Sequence, residues 1–300
     1  MKNFSGVTVN TERNPNPRTY DWLEDALLTV CRNAFSEESS LLVHSLLPRI
    51  HRVYPHRDYK FLLQSSDAEI HLVLRLYHGS FSIWSSVDRQ KSAREYSALF
   101  QSYQVGIPVS FPYGFTTSEI PFGKPYLLQD PGDGQPWWDV EDSLRLIQGE
   151  IVHDLAEELA KVHFALRTPP PLIPTVEFHD VMKQLGSRVM GIAGDDLKRC
   201  FDRCLHDMED IEPLPDVLLH GQFDLDHLLL KNGRIRTIMD WEFAAFGDPR
   251  WDLAHTCLSL QRGKERSLSN QFIARYSQIT GIQVDHLILW EGMVALRNWA

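Results

Sequence analysis

Four cysteines in 300 residues, none in a CxxC pair, are too few and too scattered for a disulfide framework. Cys31, Cys200, Cys204 and Cys257 are therefore expected to be reduced thiols. Cys200 and Cys204 share a helix face near His206, but a zinc site needs more ligands in better spacing. No apolar run is long enough to span a bilayer, and residues 1–17 have no basic start followed by an apolar core, so neither a membrane span nor a secretory signal is expected. A cytoplasmic location follows as the default expectation. Basic residues are also scarce: 30 Lys and Arg against 40 Asp and Glu give a formal charge of −10. That balance disfavours nonspecific attraction to nucleic acid or to an anionic membrane and is compatible with a cationic ligand. What is present, 43% hydrophobic and 23% charged residues, suits an ordinary globular protein with one large domain or two lobes.

Residues 20–35 carry Trp22, Leu23, Ala26, Leu27, Val30, Cys31 and Ala34 at helical spacing, which predicts an amphipathic helix. Short apolar or alternating segments at 49–54, 59–64 and 68–77, separated by polar turns, predict three antiparallel strands. A helix is expected over 91–103, broken at Gly106-Ile107-Pro108, and a short buried strand over 125–129. The turn formers of residues 131–136 (PGDGQP) then bend the chain. Leu144, Ile147, Ile151, Leu155, Leu159, Val162 and Leu166 keep one long core-facing helical stripe, ended by Pro169. Further helices are expected over 181–190, 197–208, 268–280 and 284–299. A strand follows the turn Lys231-Asn232-Gly233 and ends at Asp240, so the class is α+β.

The chemistry is concentrated in HGQFDLDH (220–227), IMDWE (238–242) and FGDPRWDLA (246–254). Upstream lie LVLRLY (72–77), AREYSALF (93–100) and PYLLQD (125–130). In spacing and order these motifs resemble the aminoglycoside phosphotransferase and choline kinase family, a branch of the protein-kinase-like fold, over roughly residues 45–300. The resemblance implies a two-lobed α+β fold: a flexible segment over 1–19, a small nucleotide-covering lobe with an antiparallel sheet over 20–130, and a larger, mainly helical lobe over 131–300. It implies transfer of the γ-phosphate of ATP, or of GTP, to a hydroxyl of a small molecule, with Mg2+ or else Mn2+. An amino-alcohol, sugar or aminoglycoside-like acceptor, cationic in character, would fit it.

Such enzymes read His-Gly-Asp, four residues, then Asn. Here Gln222 stands at the catalytic carboxylate and His227 at the metal-binding amide. A neutral amide cannot take a proton from a hydroxyl. Asp224, two residues on, is the candidate to orient or deprotonate the acceptor. Asp240 matches the nucleotide-metal carboxylate, with His227 as its companion ligand, although imidazole suits manganese or zinc better than magnesium. Arg75 stands where kinases place a phosphate-binding Lys, with Glu95 as its ion-pair partner on the next helix. Gln129 and Asp130 fall in the hinge. Residues 54–58 form the expected phosphate-covering turn without a glycine, leaving His56 and Arg57 to reach phosphate by side chain. Asp248 and Asp252 match carboxylates that brace the catalytic loop, and His163 and His220 match structural histidines. Two readings stay open on these residues: an active phosphotransferase, or a pseudokinase that keeps the fold as a nucleotide-binding or scaffold protein.

Overall fold

Leu41 and Val43 turn inward while Leu42 stays exposed, the two-residue period of a half-buried strand. They open β1 (Leu42–Arg49) of the computed structural model, which describes residues 21–35, 41–49, 56–66, 68–78, 90–139, 148–192, 194–209, 211–261 and 266–299. With β2 (His56–Gln64), β3 (Glu69–Tyr77), β4 (Pro112–Thr116) and β5 (Tyr126–Gln129) it forms a five-stranded sheet in the order β1-β2-β3-β5-β4, every neighbouring pair antiparallel. The first strand shares Arg49 with the expected 49–54, of which residues 50–54 lie outside the described residues. His56, Arg57 and Asp58 belong to a ladder rather than to a turn, because the β2–β3 register runs out to His56 opposite Tyr77 and sets Asp58 opposite Arg75. The expected segment 1–19, residues 54 and 55 of the expected turn, the His56 side chain and the first turns of the long helix lie outside the described residues. Strand β4 was not expected: Pro112 and Gly114 weaken its pattern, and both are tolerated at the edge of a sheet.

Helix α1 (Asp21–Ala34) lays Leu23, Leu27, Val30 and Cys31 on Phe61, Leu63, Leu72 and Leu74 of the sheet. Helix α2 (Lys91–Gln104) contacts β4 and β5 and also the short 3-10 turn Trp241–Phe243, so it joins the sheet to the rest of the chain. The remainder is mainly helical: α3 (Gln148–Phe164), α4 (Phe178–Ile192), α5 (Asp195–Glu209), α6 (Arg250–Gln261), α7 (Arg266–Thr280) and α8 (Leu287–Trp299). Its core brings Leu155 and Leu159 of α3 together with Phe223, Ile238, Trp241, Phe272 and Tyr276. Trp241 is fully buried, and truncating such a ring to alanine costs about 3–5 kcal/mol.

Short strands frame the motif region. β7 (Val217–Leu219) pairs antiparallel with β10 (Ala245–Gly247), and β6 (Gln135–Pro136) joins the hairpin of β8 (Leu228–Lys231) and β9 (Arg234–Ile238). The chain leaves β7, rounds residues 220–227, runs the hairpin, and returns through 240–244 to lie beside its own start. That closure places Asp240 next to His227. Helix α6 escaped the sequence reading because residues 251–257 are buried on every side, leaving no apolar stripe to betray a helical period.

Candidate active site

Arg75 is the centre of a buried charge cluster. Its Nε and Nη2 donate to the two carboxylate oxygens of Asp58 at 3.0 and 3.1 Å, and its Nη1 donates to Glu95 Oε1 at 2.7 Å and ion-pairs with Asp240 Oδ1. Three of the five guanidinium N–H groups thereby donate hydrogen bonds, and the Asp240 contact adds an ion pair. Glu95 also accepts from the Tyr77 hydroxyl and, at 3.3 Å, from the Trp241 backbone N–H. Burial raises the Glu95 pKa, Arg75 opposes that shift, and Asp240 adds to it. Burial favours loss of the Arg75 proton, but Asp240, Asp58 and Glu95 outweigh it and keep the guanidinium charged. Helix α2 is fastened to the same region by Arg94 Nε donating to the Glu242 carbonyl at 2.8 Å and by Lys91 Nζ lying 3.3 Å from Glu242 Oε2.

The loop of residues 220–227 is held from below. Both Asp252 oxygens accept backbone N–H groups, from His220 at 2.7 Å and Gly221 at 2.9 Å. Burial works against the Asp252 charge, yet the hydrogen bond and charge of His163, with His220 and His255 nearby, hold its pKa below the usual value. His220 Nε2 donates to the Met239 carbonyl at 2.7 Å while burial lowers its pKa, the behaviour of a neutral structural imidazole. Gly221 has φ +86°, and a Cβ there would sit 2.7 Å from the Phe243 carbonyl carbon, so only glycine fits this crossing. Asp240 is itself left-handed, φ 63°, a conformation that costs a non-glycine residue about 1–3 kcal/mol and is met at functional sites.

Asp224, at 5% exposure, caps the 3-10 turn Leu225–His227: its Oδ1 accepts from His227 Nδ1 at 2.6 Å and from the Asp226 N–H at 3.0 Å. His227 Nε2 then faces Asp240 Oδ2 at 3.9 Å. Burial lowers the His227 pKa, but Asp224, by charge and hydrogen bond, and Asp240 raise it overall. Gln222 is half-buried, and its Oε1 accepts from Arg297 Nη2 of α8 at 3.2 Å. Arg297 also donates to His255 Nε2 at 3.3 Å and stacks its guanidinium 4.9 Å from the Phe243 ring centre. Burial, reinforced by Arg297, pushes the His255 pKa down to about 3, so this imidazole is neutral.

His227 and Asp240 fit a divalent ion that arrives with its own phosphate ligands. The two donors stand 3.9 Å apart and would close to about 3.0 Å to sit as neighbouring octahedral ligands at bond lengths of about 2.1 Å. Among the described residues no group of three His, Cys, Asp or Glu is placed to hold a metal, and magnesium characteristically takes one or two protein ligands with waters and phosphates.

The phosphotransferase enzyme family matches residues 55–287, well over half of the sequence. The chain belongs to this family. No curated protein matches its sequence. Among solved structures, a thermostable mutant of aminoglycoside phosphotransferase APH(4)-Ia superposes with TM-score 0.62 at 17% identity, covering 90% of this chain and 89% of that one. Aminoglycoside-3'-phosphotransferase of type VIII gives 0.59 at 15% identity over 92% and 99%. The GDP complex of aminoglycoside 2'-phosphotransferase-IIIa gives 0.57 at 16% over 91% and 87%. The shared property at these identities is the fold, the two-lobed protein-kinase-like architecture expected from the motifs.

For this family member, the structure brings Arg75, Glu95, Asp240, His227 and Asp224 into one connected chain of contacts. Gln129 is buried at the end of β5. Asp130 caps the connection, its oxygens accepting from Phe111 N at 2.9 Å and Gly132 N at 2.8 Å. Arg57 is exposed at the start of β2, apart from the cluster's hydrogen bonds. Sequence reasoning missed Asp58 and Arg297. Strand pairing could have suggested Asp58, which faces Arg75 across the ladder; no local signal marks Arg297.

Proposed function

We propose that this chain is a nucleotide-dependent phosphotransferase that moves the γ-phosphate of ATP or GTP to a hydroxyl on a small molecule. The observation that carries the reading is the continuous link Glu95–Arg75–Asp240–His227–Asp224, which joins sheet, α2 and catalytic loop in the order phosphoryl transfer needs. Similar structures are ternary complexes with ADP or AMP-PNP and hygromycin B, and others hold GDP; these ligands belong to those proteins and support a nucleotide here.

In this reading Arg75 keeps Asp240 against α2 and supplies positive charge toward the nucleotide phosphates. Asp240 Oδ2 and His227 Nε2 would hold a magnesium or manganese ion, whose charge would offset that of the nucleotide phosphates. Asp224 fixes the His227 ring through Nδ1, as carboxylates behind metal-binding imidazoles do, and acts through that ring rather than on the acceptor. Gln222 supplies no base. A general base is worth about 3–5 kcal/mol, roughly a hundredfold to ten-thousandfold, so transfer relies on positioning and charge and is slow for the fold.

One observation favours the pseudokinase instead: Arg75 already ion-pairs with Asp240, so that carboxylate is balanced without a metal ion. Thermal unfolding with ATP or GTP separates the two. A rise in Tm that requires Mg2+ or Mn2+ and is lost in Asp240→Asn supports the enzyme. A rise indifferent to metal, with no turnover even in Gln222→Asp, supports the scaffold. Gain of a hundredfold or more in Gln222→Asp locates the missing base at this position.

A further inference from the structure

A groove of about 240 Å³ opens in the helical part of the chain, away from the loop of residues 220–227. Phe178 and Met182 of α4, Leu205 and Met208 of α5 and Trp290 of α8 form its apolar wall. Residues 211–216, on its border, lead into β7, and Asp248 follows β10, whose Gly247 pairs with Val217. The catalytic loop leaves the other end of β7, so groove and loop lie at opposite ends of that strand. The rim is acidic: Glu177, Glu209, Asp216 and Asp248 line it against one cation, Arg250. That cation is already balanced. Its Nε and Nη2 donate to Asp248, its Nη1 donates to Asp285 at 2.9 Å, and its face covers the Trp290 ring at 4.0 Å. Glu177 and Asp216 are exposed and, among the described residues, have no ion-pair partner, while Glu209 meets the exposed His206 at 3.6 Å. Burial, then Glu177 and Asp248, raise the Asp216 pKa, as carboxylates do when they face one another with no cation between them. One further group lacks a partner. The Trp290 Nε1–H is buried with no acceptor, and a buried polar group left unpaired marks a missing neighbour.

We propose that this groove is a second binding site, for a small amphipathic amine whose ammonium sits between Glu177 and Asp216 and whose apolar body lies along Phe178, Met182 and Trp290. It goes beyond the phosphotransferase reading and does not rest on it. Such an amine matches both halves of the groove: its body leaves water against the apolar wall, and its charge falls beside carboxylates that no other group balances. An anion of the same shape meets like charge there, and a neutral molecule gains only the wall. A hydroxyl on the amine would supply the acceptor that Trp290 lacks.

The test is NMR of the full chain labelled at the indole nitrogens of its eight tryptophans, with Trp290→Phe to identify the Trp290 signal. Phenylethanolamine is titrated at matched ionic strength, with and without saturating AMP-PNP and Mg2+. Mandelate and benzyl alcohol are titrated beside it, since each keeps a ring and a hydroxyl but carries a negative charge or none. The Trp290 signal is expected to move saturably with the amine in both conditions, and about tenfold more weakly or not at all with the other two. Glu177→Gln combined with Asp216→Asn, both at exposed positions, weakens the amine about tenfold, the value of one charge-assisted hydrogen bond. No amine response, an equal response to benzyl alcohol, or an undiminished response in the double variant overturns the proposal. Amine shifts confined to other indoles, or abolished by AMP-PNP, also overturn it, because the amine then sits elsewhere or in the nucleotide cleft. A Trp290 signal that moves with protein concentration alone overturns it too, since a second copy then covers the groove. If Trp290→Phe does not fold, titration calorimetry of the amine against wild type and the double variant decides, with equal affinities as the refuting result.

Discussion

Replacing Arg75 by Met removes the guanidinium that faces Asp58, Glu95 and Asp240 while keeping much of the side-chain volume. The hydrogen bonds lost are those to Asp58 at 3.0 and 3.1 Å and to Glu95 at 2.7 Å, together with the Asp240 ion pair. All four residues are under 9% exposed, so water cannot replace the cation. Breaking a buried pair from one side costs about 3–5 kcal/mol, a large part of a typical total of about 5–15 kcal/mol. The pH dependence gives the sharper check. Without Arg75 the three carboxylates have folded-state pKa values raised above their unfolded ones, so the folded variant binds protons that the unfolded chain has released. The penalty is then full above the folded pKa values and disappears below the unfolded ones near 4. Urea unfolding followed by tryptophan fluorescence should show a deficit of about 3–5 kcal/mol at pH 7.5 that narrows toward pH 5, and adding Glu95→Gln should recover part of it. A deficit below about 1 kcal/mol, or one unchanged with pH, would refute the view that Arg75 holds three buried charges together.

Gly221→Ala forces a side chain onto the Phe243 carbonyl at a left-handed φ, which should cost about 3 kcal/mol or more; a circular-dichroism melt indistinguishable from wild type would show that the loop can move aside. His255, neutral in the fold with its pKa pushed down to about 3, sits below the unfolded value near 6.5. Its contribution is therefore present above pH 6.5 and is lost as the pH falls, at about 1.4 kcal/mol per unit. In His255→Gln the stability–pH curve between pH 6 and pH 4 should be shallower by one proton, and equal slopes in the two proteins would contradict the assignment.

Several parts of the site could be read from local pattern because their cause is local. The stripe Leu23, Leu27, Val30 makes α1 amphipathic whatever it packs on, and Arg75, Glu95, His227 and Asp240 stand at family spacings along the chain. The two departures from the family motif, Gln222 and His227, are also plain in the letters. The stretch 42–48 of the first strand went unread because its partner is chosen by pairing with β2 and not by local pattern. Helix α6 went unread for the opposite reason: it is buried all round, so periodicity has nothing to contrast.

Sequence alone determined the fold family, the order of the motifs and the amide at 222, since each depends on residue identity at fixed spacing. Tertiary structure alone decided the partners. Asp58 reaches Arg75 through strand register, Asp224 turns to His227 through a single 3-10 turn, and Arg297 meets Gln222 across 75 residues of chain because α8 packs beside α6. Those contacts follow from how whole elements pack, and a side chain carries no mark of which distant neighbour the packing will bring.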